Sequence, residues 1–150
     1  MRTPTVMYVL GSLNAGGAER QALTLVKGLD RRRWCPAVCG MRTGELADEF
    51  AAVAPCHVLD KSRAIDLRAA AQLTHLMLRY RPAIVHTYMS TGNTWGRLGA
   101  VISLVAQRQI PPVVVASERS IDAWKTGVHR LVDRLLLGTT DAMLGNSRAR

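Results

Sequence analysis

The sequence predicts an α/β fold in which a doubly wound parallel sheet carries helices on both faces. Short apolar segments alternate with amphipathic helical segments along all 150 residues. The apolar segments are nearly continuous, which is typical of parallel strands covered on both sides. Because parallel strands are joined by right-handed crossovers, we expect about six strands in the order 3-2-1-4-5-6.

The first half of the chain contains three predicted strands and three predicted helices. The strands are residues 5–10, 34–41 and 56–59, and the helices are residues 18–30, 45–53 and 65–80. Pro36 indicates either that the second strand is an edge strand or that Pro36 lies at the beginning of that strand. Pro82 ends the third helix. Arg31, Arg32 and Arg33 follow the first helix, where cations complement the helix dipole. The third helix is expected to bury one face, formed by Leu67, Ala70, Ala71, Thr74, Met77 and Leu78.

The second half repeats the alternation. The predicted strands are residues 83–86, 113–116 and 141–145. Residues 91–93 are predicted to form a loop and cap for a helix over residues 94–107, which is expected to bury Leu98, Val101, Ile102 and Val105. Asp122 is a candidate cap for the last helix. Its expected apolar face consists of Val128, Leu131, Val132, Leu135 and Leu136, with Arg130 and Arg134 on the exposed side.

The composition is strongly basic, with a formal net charge of +9. Nucleic acid, an anionic membrane surface or an anionic substrate could each account for this charge, as could an arginine-rich composition without a partner. Aromatic residues make up 5% of the chain and no recognition motif is present, so nucleic acid is not expected. No apolar run approaches the length of a spanning helix, and residues 1–4 lead straight into a strand. We therefore expect a cytoplasmic protein, with peripheral contact to the inner face of the membrane as a further expectation.

Three cysteines are present, Cys35, Cys39 and Cys56, without a C-x-x-C spacing. An odd number without metal-ligand spacing favours packing in the core. Neither a metal site nor a bound cofactor is expected.

A glycine loop follows the first strand and leads into the first predicted helix at residue 18; the loop and the start of the helix together are residues 11–20 (Gly-Ser-Leu-Asn-Ala-Gly-Gly-Ala-Glu-Arg). Strand, glycine loop and helix together bring free N–H groups and the positive end of a helix dipole to one point, which favours a phosphate or carboxylate. A plain structural turn is the alternative. The loop contains neither G-x-G-x-x-G nor a P-loop. The second strand ends in Gly40 and Met41, where a nicotinamide enzyme would carry an acidic residue, so such a cofactor is disfavoured.

The glycine loop resembles the opening of family 4 retaining glycosyltransferases. Three further matches follow in order, at residues 81–87, 113–119 and 141–147, so the resemblance covers essentially the whole chain. It implies the N-terminal, acceptor-side, Rossmann-like domain of a GT-B enzyme whose C-terminal donor-binding domain is absent. It also implies transfer of a sugar, of hexosyl type, from a nucleotide-sugar co-substrate to a glycan or lipid-linked acceptor with retention. Bacterial cell-surface polysaccharide synthesis is the expected setting, and this fragment alone is expected to be inactive.

The expected site residues lie in the loop and at the carboxyl ends of the strands, which form the ligand side of such sheets. We expect substrate contacts from Gly16, Gly17, Ala18, Glu19, Tyr88, Asn93, Asn146, Ser147 and Arg148. The expected catalytic residues are His86, Glu118 and Arg119. Many relatives carry histidine at or next to the position of Glu118, whereas this chain has Ser-Glu-Arg-Ser. A structural hydrogen bond for His86 and a Glu118–Arg119 ion pair are the alternatives to catalytic roles.

Two other function classes are compatible with these patterns. One is a non-catalytic module that binds an anionic lipid or a glycan in the same crevice. The other is an ordinary nucleotide-dependent Rossmann enzyme. Binding of nucleotide-sugars, of NAD and of liposomes distinguishes these classes.

Overall fold

The computed structural model describes residues 2–107, 110–118 and 126–145. Strands and helices alternate throughout these residues. The strands are β1 (Thr5–Leu10), β2 (Cys35–Gly40), β3 (Cys56–Val58), β4 (Ile84–Tyr88), β5 (Val113–Glu118) and β6 (Ala142–Gly145). The helices are α1 (Gly17–Gly28), α2 (Ala47–Val53), α3 (Leu67–Tyr80), α4 (Met89–Gln107) and α5 (Gly127–Leu137).

The six strands form one parallel sheet in the order β3-β2-β1-β4-β5-β6, which confirms the predicted topology. The pairing register aligns the carboxyl ends of the central strands. Leu10 at the end of β1 pairs with Gly40 and with Tyr88, and Tyr88 pairs with Ser117. The segments that leave these strands therefore begin side by side.

Helices cover both faces of the sheet, as predicted, and a separate apolar core lies under each set. Alternate residues of β1 point to the two cores: Tyr8 packs with residues of α1 and α2, and Met7 packs with residues of α3 and α4. Strands β1 and β2 carry continuous apolar runs because both of their faces are buried, whereas the edge strand β6 is exposed along its whole length. Among the described helices, we find none with the length and hydropathy of a membrane-spanning segment.

Two polar side chains satisfy the ends of three helices. The Arg31 guanidinium donates to the carbonyls of Val26 and Val53, each at 2.9 Å, so it caps the last turns of α1 and α2. Asp66 caps α3 by accepting a hydrogen bond from the Ala69 N–H at 3.1 Å. The bonds from Ala69 and then Ser62 to this carboxylate hold the pKa of Asp66 below its ordinary value.

The start of α4 differs from the prediction. Strand β4 continues to Tyr88, and Met89, with a φ of 60°, makes the turn directly into the helix. Residues 91–93, predicted as a loop and cap, therefore lie inside α4. The predicted cap Asp122 falls outside the residues that the structure describes.

The buried faces of α3, α4 and α5 also differ from the predictions. Leu67 of α3, Leu98 and Val105 of α4, and Val128, Leu131 and Leu135 of α5 are all exposed. Helix α4 instead turns Gly96, Arg97 and Ala100 inward. Small residues on this side let the helix approach the sheet closely, and its larger apolar residues are left on the outside.

The three cysteines occupy different environments. Cys39 is fully buried, and burial, with a smaller contribution from Cys56, raises the pKa of the Cys39 thiol to about 12. Cys56 is half-buried, and burial raises its pKa as well. Core packing was the wrong prediction for Cys35, which is exposed because it opens β2 at the amino edge of the sheet.

The close approach of α4 to β1 predicts a strong effect of one added methyl group. A Cβ at Gly92 would lie 2.7 Å from the Val9 carbonyl oxygen and 3.2 Å from the Gly11 nitrogen. We expect Gly92→Ala to lower the free energy of unfolding by about 1–3 kcal/mol, because backbone atoms must move apart. Urea denaturation of both proteins measures the difference.

Gly28→Ala is the matched control, since Gly28 is also helical and, beyond its own helix backbone and chain neighbours, no described atom lies within 4 Å of its added Cβ. This change is expected to leave stability unchanged or to raise it by up to about 1 kcal/mol. A Gly92→Ala protein as stable as the control would contradict the close packing.

Candidate functional site

The candidate site lies at the carboxyl edge of the sheet, where β1 and β4 are neighbours. The chain leaves β1 toward β2 on one side, and β4 continues toward β5 on the other, so the connections diverge at this point. Such a divergence opens a crevice above the strand ends. The glycine loop, which ends at residue 16 in the structure, meets the ends of β4 and β5 and the first turn of α4 at this edge.

The glycine loop is fixed by backbone contacts on both sides. The Leu13 N–H donates to the Arg42 carbonyl at 3.2 Å, and the Leu46 N–H donates to the Leu13 carbonyl at 2.8 Å. A Cβ at Gly44 would collide with the backbone of Leu13, so only glycine permits this contact without a shift. On the other side, a Cβ at Gly11 would lie 3.1 Å from the Thr91 Cβ of α4.

The loop ends at the open amino terminus of α1. Gly16 is the extended N-cap residue, and Gly17 is exposed. Across residues 2–107, 110–118 and 126–145, the N–H groups of Gly16 and Gly17 have no hydrogen-bond acceptor. Apart from its chain neighbours and the backbone of α1, no atom of the described part of the chain lies within 4 Å of a Cβ placed at Gly17. The positive end of the α1 dipole is therefore accessible at Gly17.

Two carboxylates of the chain lie close to this positive end. Glu45 Oε2 accepts a hydrogen bond from the Ala15 N–H at 2.9 Å. The Glu19 carboxylate lies against Gly16, and Ser12 Oγ is 3.5 Å from Glu19 Oε1. Because anions are favoured at a helix amino terminus, these side chains occupy positions that an anionic ligand would also prefer.

His86 lies in a cluster of aromatic and hydroxyl groups on β4. Its ring stacks on Tyr88, with 4.4 Å between ring centroids, and lies 5.7 Å from the ring of Tyr8. His86 Nε2 and Ser117 Oγ form a hydrogen bond of 2.9 Å, and the Tyr88 hydroxyl is 3.4 Å from His86 Nδ1. Burial raises the pKa of Tyr8, and the positive charge of Arg31 partly opposes this shift. The imidazole is thus held at both ring nitrogens while the residue stays half-buried.

Asn93 joins β4 to β5 beneath His86. Its Oδ1 accepts a hydrogen bond from Thr87 Oγ1 at 2.6 Å, and its Nδ2 donates to the Ser117 carbonyl at 3.4 Å. Asn93 and Tyr88 are each 1% exposed. In this conformation they support the His86–Ser117 pair from within the fold.

Glu118 is the half-buried last residue of β5, paired in register with Gly145 at the end of β6. The structure thus places Gly16, Gly17, Ala18 and Glu19 together around the α1 terminus. It places His86, Tyr88 and Asn93 in a second group at the end of β4. Arg119, Asn146, Ser147 and Arg148 lie outside the residues that the structure describes.

Sequence reasoning placed Ser117 on the ligand side but named neither Ser117 nor Glu45 as a site residue, and it did not predict that Lys61 is buried. Ser117 could have been found, because it stands beside Tyr88 once β4 and β5 are aligned. Glu45 reaches Ala15 across 30 residues, for which the sequence has no local signal. Lys61 is buried with its Nζ 5.6 Å from the centre of the Trp95 ring, and burial, followed by the charge of Arg42, lowers its pKa.

Comparison with known proteins identifies the family of the chain and a solved structure with a similar fold. Residues 15–149 match the family model described as Glycosyltransferase Family 4. No curated protein matches the chain. A crystal structure described as a putative UDP-N-acetylglucosamine 2-epimerase from Listeria monocytogenes is similar, with a TM-score of 0.59 and 12% identity. The similarity covers 96% of this chain and 39% of that one, and at this identity it shows the fold alone.

The buried hydrogen bond between the Thr87 and Asn93 side chains predicts that substitutions at these two positions change the free energy of unfolding non-additively. We expect Asn93→Ala to lower the free energy of unfolding by about 1–3 kcal/mol, because the Thr87 hydroxyl and the Ser117 carbonyl lose a buried partner. The double variant Thr87→Val/Asn93→Ala should lose less stability than the sum of the single changes. Urea unfolding of the four proteins measures the coupling, and strictly additive losses would contradict it.

Proposed function

Because the chain belongs to glycosyltransferase family 4, we propose that it is the N-terminal, acceptor-side domain of a retaining transferase. The enzyme moves a hexosyl group from a nucleotide-sugar to a hydroxyl of a glycan or lipid-linked acceptor. A second domain, which holds most of the nucleotide, completes the active site. The observation that carries the proposal is the family match over residues 15–149.

The glycine loop supplies electrostatic stabilisation in this proposal. Negative charge develops on the leaving diphosphate as the bond between sugar and phosphate breaks. The N–H groups of Gly16 and Gly17, with the α1 dipole behind them, are preorganised donors for that charge. The open space at Gly17 supports this role, since phosphate oxygens can approach the backbone there. No metal ion is needed for this step.

Glu19 has to move for a diphosphate to bind. Its carboxylate lies against Gly16, and two anions at that distance would repel each other. We propose that Glu19 rotates away from the loop and accepts a hydrogen bond from a hydroxyl of the transferred sugar. Glu45 keeps its bond to Ala15 and holds the loop in place during this exchange.

His86, Glu118 and Arg119 orient hydroxyl groups of the acceptor or the sugar. The fixed imidazole of His86 supports this role, because its stacking on Tyr88 and its bond to Ser117 restrict ring rotation. Glu118 follows at the strand end next to Ser117. We place the reaction in bacterial cell-surface polysaccharide synthesis, at the cytoplasmic face of the membrane, and the net charge of +9 supports contact with an anionic acceptor or surface.

Ligand binding to this chain tests the glycine loop directly. In a ¹⁵N–¹H correlation spectrum, we expect UDP or GDP to shift the amide resonances of Gly16, Gly17 and Ala18, because phosphate oxygens accept from these groups. NAD is the matched control and should shift them less. The loop proposal fails when nucleoside diphosphates leave these amides unchanged at saturating concentration.

Gly17→Val in the complete two-domain enzyme tests the loop in catalysis. Apart from its chain neighbours and the backbone of α1, no atom of the described residues lies within 4 Å of a Cβ at this position, so the added side chain projects into the space proposed for the ligand. We expect kcat/KM to fall about a hundredfold, as when a donor to a developing anion is lost. Gly28→Val, at the open far end of α1, is the control and should retain activity.

An unchanged kcat/KM for Gly17→Val would remove the loop from the mechanism. Glycan or lipid binding without any sugar transfer by the complete protein would instead favour the non-catalytic module.

A further inference from the structure

Lys61 is a buried cation that the protein does not pair with an anion. The residue is 7% exposed, and its Nζ lies 5.6 Å from the centre of the half-buried Trp95 ring. Within the described part of the chain, Nζ forms neither a hydrogen bond nor an ion pair. Burial of a charge is costly unless an anion or hydrogen-bond acceptors compensate it. An anionic ligand at Nζ would supply this compensation.

Backbone hydrogen bonds hold Lys61 at the carboxyl edge of the sheet. The Leu59 N–H donates to the Gly40 carbonyl at 2.9 Å, and the Lys61 N–H donates to the Met41 carbonyl at 2.7 Å. Between them, Asp60 adopts a left-handed conformation with a φ of 48°. Because these bonds continue the pairing of β2 and β3 past the ends of both strands, Lys61 lies on the same edge as the glycine loop.

Arg42 places a second positive charge beside Lys61. Its Nε donates to the Lys61 carbonyl at 3.2 Å, and its own carbonyl accepts a hydrogen bond from the Leu13 N–H of the glycine loop at 3.2 Å. Arg42 is exposed, and the other nitrogens of its guanidinium have no hydrogen-bond acceptor among the described residues. We call these two cations, which are held next to each other and to the glycine loop, the Lys61–Arg42 pair.

Asp66 reduces the positive charge at this position but does not cancel it. Burial and then the charge of Arg42 lower the pKa of Lys61, and Asp66 is the acidic residue whose charge opposes them. The Asp66 carboxylate is already used at the start of α3. Its Oδ1 accepts from the Ala69 N–H at 3.1 Å, and its Oδ2 accepts from the Ser62 N–H at 3.1 Å and the Ser62 hydroxyl at 3.3 Å. It forms no ion pair with Lys61.

We propose that the Lys61–Arg42 pair binds a phosphoryl group carried by the acceptor substrate. Two adjacent cations match the double negative charge of a phosphate monoester better than the single charge of a carboxylate, and both side chains are phosphate ligands by their chemistry. The indole of Trp95 borders the same position, where the apolar face of an attached sugar can pack. The assignment rests on the proposed function, because it names the class of acceptor: a sugar phosphate or a lipid-linked diphosphate.

This phosphoryl site is distinct from the position proposed for the leaving diphosphate. The diphosphate is placed at the backbone N–H groups of Gly16 and Gly17, where α1 begins. The Lys61–Arg42 pair offers side-chain cations that follow β3 and β2. Substitutions can therefore remove one set of donors and leave the other in place.

Nuclear magnetic resonance with small probes tests the site on this chain. The probes are glucose 1-phosphate, geranyl diphosphate, glucuronate and glucose, each added separately while ¹⁵N–¹H correlation spectra are recorded. We expect the phosphorylated probes to shift the Trp95 indole N–H and the Lys61 and Arg42 amides, glucuronate to bind much more weakly, and glucose to cause no shift. The phosphorylated probe with the lower Kd identifies the source of the group, a sugar phosphate or a lipid-linked diphosphate. Equal binding of glucuronate, or no shift with either phosphorylated probe, would overturn the proposal.

Lys61→Met removes the charge and keeps a side chain of similar length. We expect the Kd for glucose 1-phosphate to rise about tenfold or more, as when a charged hydrogen bond is lost. The matched control is Lys27→Met, which removes the same charge from an exposed position where Nζ lies 3.5 Å from Glu49 Oε2. It should leave the Kd unchanged, and equal losses in the two variants would reduce the effect to net charge and overturn the site.

Urea unfolding separates ligand binding from a structural role of Lys61. We expect Lys61→Met to be at least as stable as the unchanged protein, because a buried charge without a protein partner is removed. A marked loss of stability would show instead that Lys61 serves the fold. Arg42→Gln changes an exposed residue and should also raise the Kd for glucose 1-phosphate. Unchanged binding by this variant would overturn the joint action of the two cations.

The response to UDP separates this inference from the proposed function. Lys61→Met should keep the shifts that UDP causes at Gly16 and Gly17, since those amides lie at the other anion position. Loss of these shifts would assign Lys61 to the donor and overturn the acceptor site, while the glycine loop keeps its role. Glucose 1-phosphate that shifts Trp95 in a chain whose loop amides ignore UDP would support the phosphoryl site and contradict the loop alone.

Discussion

The close contact between α4 and β1 is the constraint on which the candidate site depends. A Cβ at Gly96 would collide with the Thr87 side chain and lie 3.3 Å from the Val9 Cβ. A Cβ at Gly92 would collide with the Val9 carbonyl oxygen. Only glycine lets the two elements come this close without a shift. Asn93 stands between these glycines in sequence, so the same contact brings its amide to Thr87 and to the Ser117 backbone. The position of the His86–Ser117 pair thus follows from how closely a helix lies on the sheet.

The glycine loop has a rigid base and an open tip. Hydrogen bonds from Leu13 and Leu46 tie its base to the segment after β2, and Gly11 packs against the start of α4. The tip, at Gly16 and Gly17, has its amides free of partners within the described part of the chain. In the proposed function, a ligand enters this loop by movement of side chains, chiefly Glu19, while the backbone keeps its shape. This division suits a site that must stabilise charge without reorganising first.

Local patterns were sufficient for the strand order, because alternating elements and right-handed crossovers allow few arrangements. They were not sufficient for the packing of α4 and α5. Periodicity shows which residues share a helix face, but it cannot decide whether small or large residues of that helix face the sheet. The start of α4 was missed because Met89 adopts a positive φ that its residue type does not indicate. The Glu45–Ala15 and Arg97–Asp133 contacts join distant segments, and no short-range pattern encodes them.

The unequal environments of the three thiols have a practical consequence for labelling. Cys39 is sealed in the core with a pKa of about 12, so it forms almost no thiolate at neutral pH, and burial also raises the pKa of Cys56. Cys35 is exposed at the amino edge of the sheet, opposite the glycine loop. A maleimide dye should therefore attach at one place on the native chain without any cysteine being removed. The fluorophore would stand away from both the crevice and the Lys61–Arg42 pair, where it can report tumbling and proximity while those surfaces stay free.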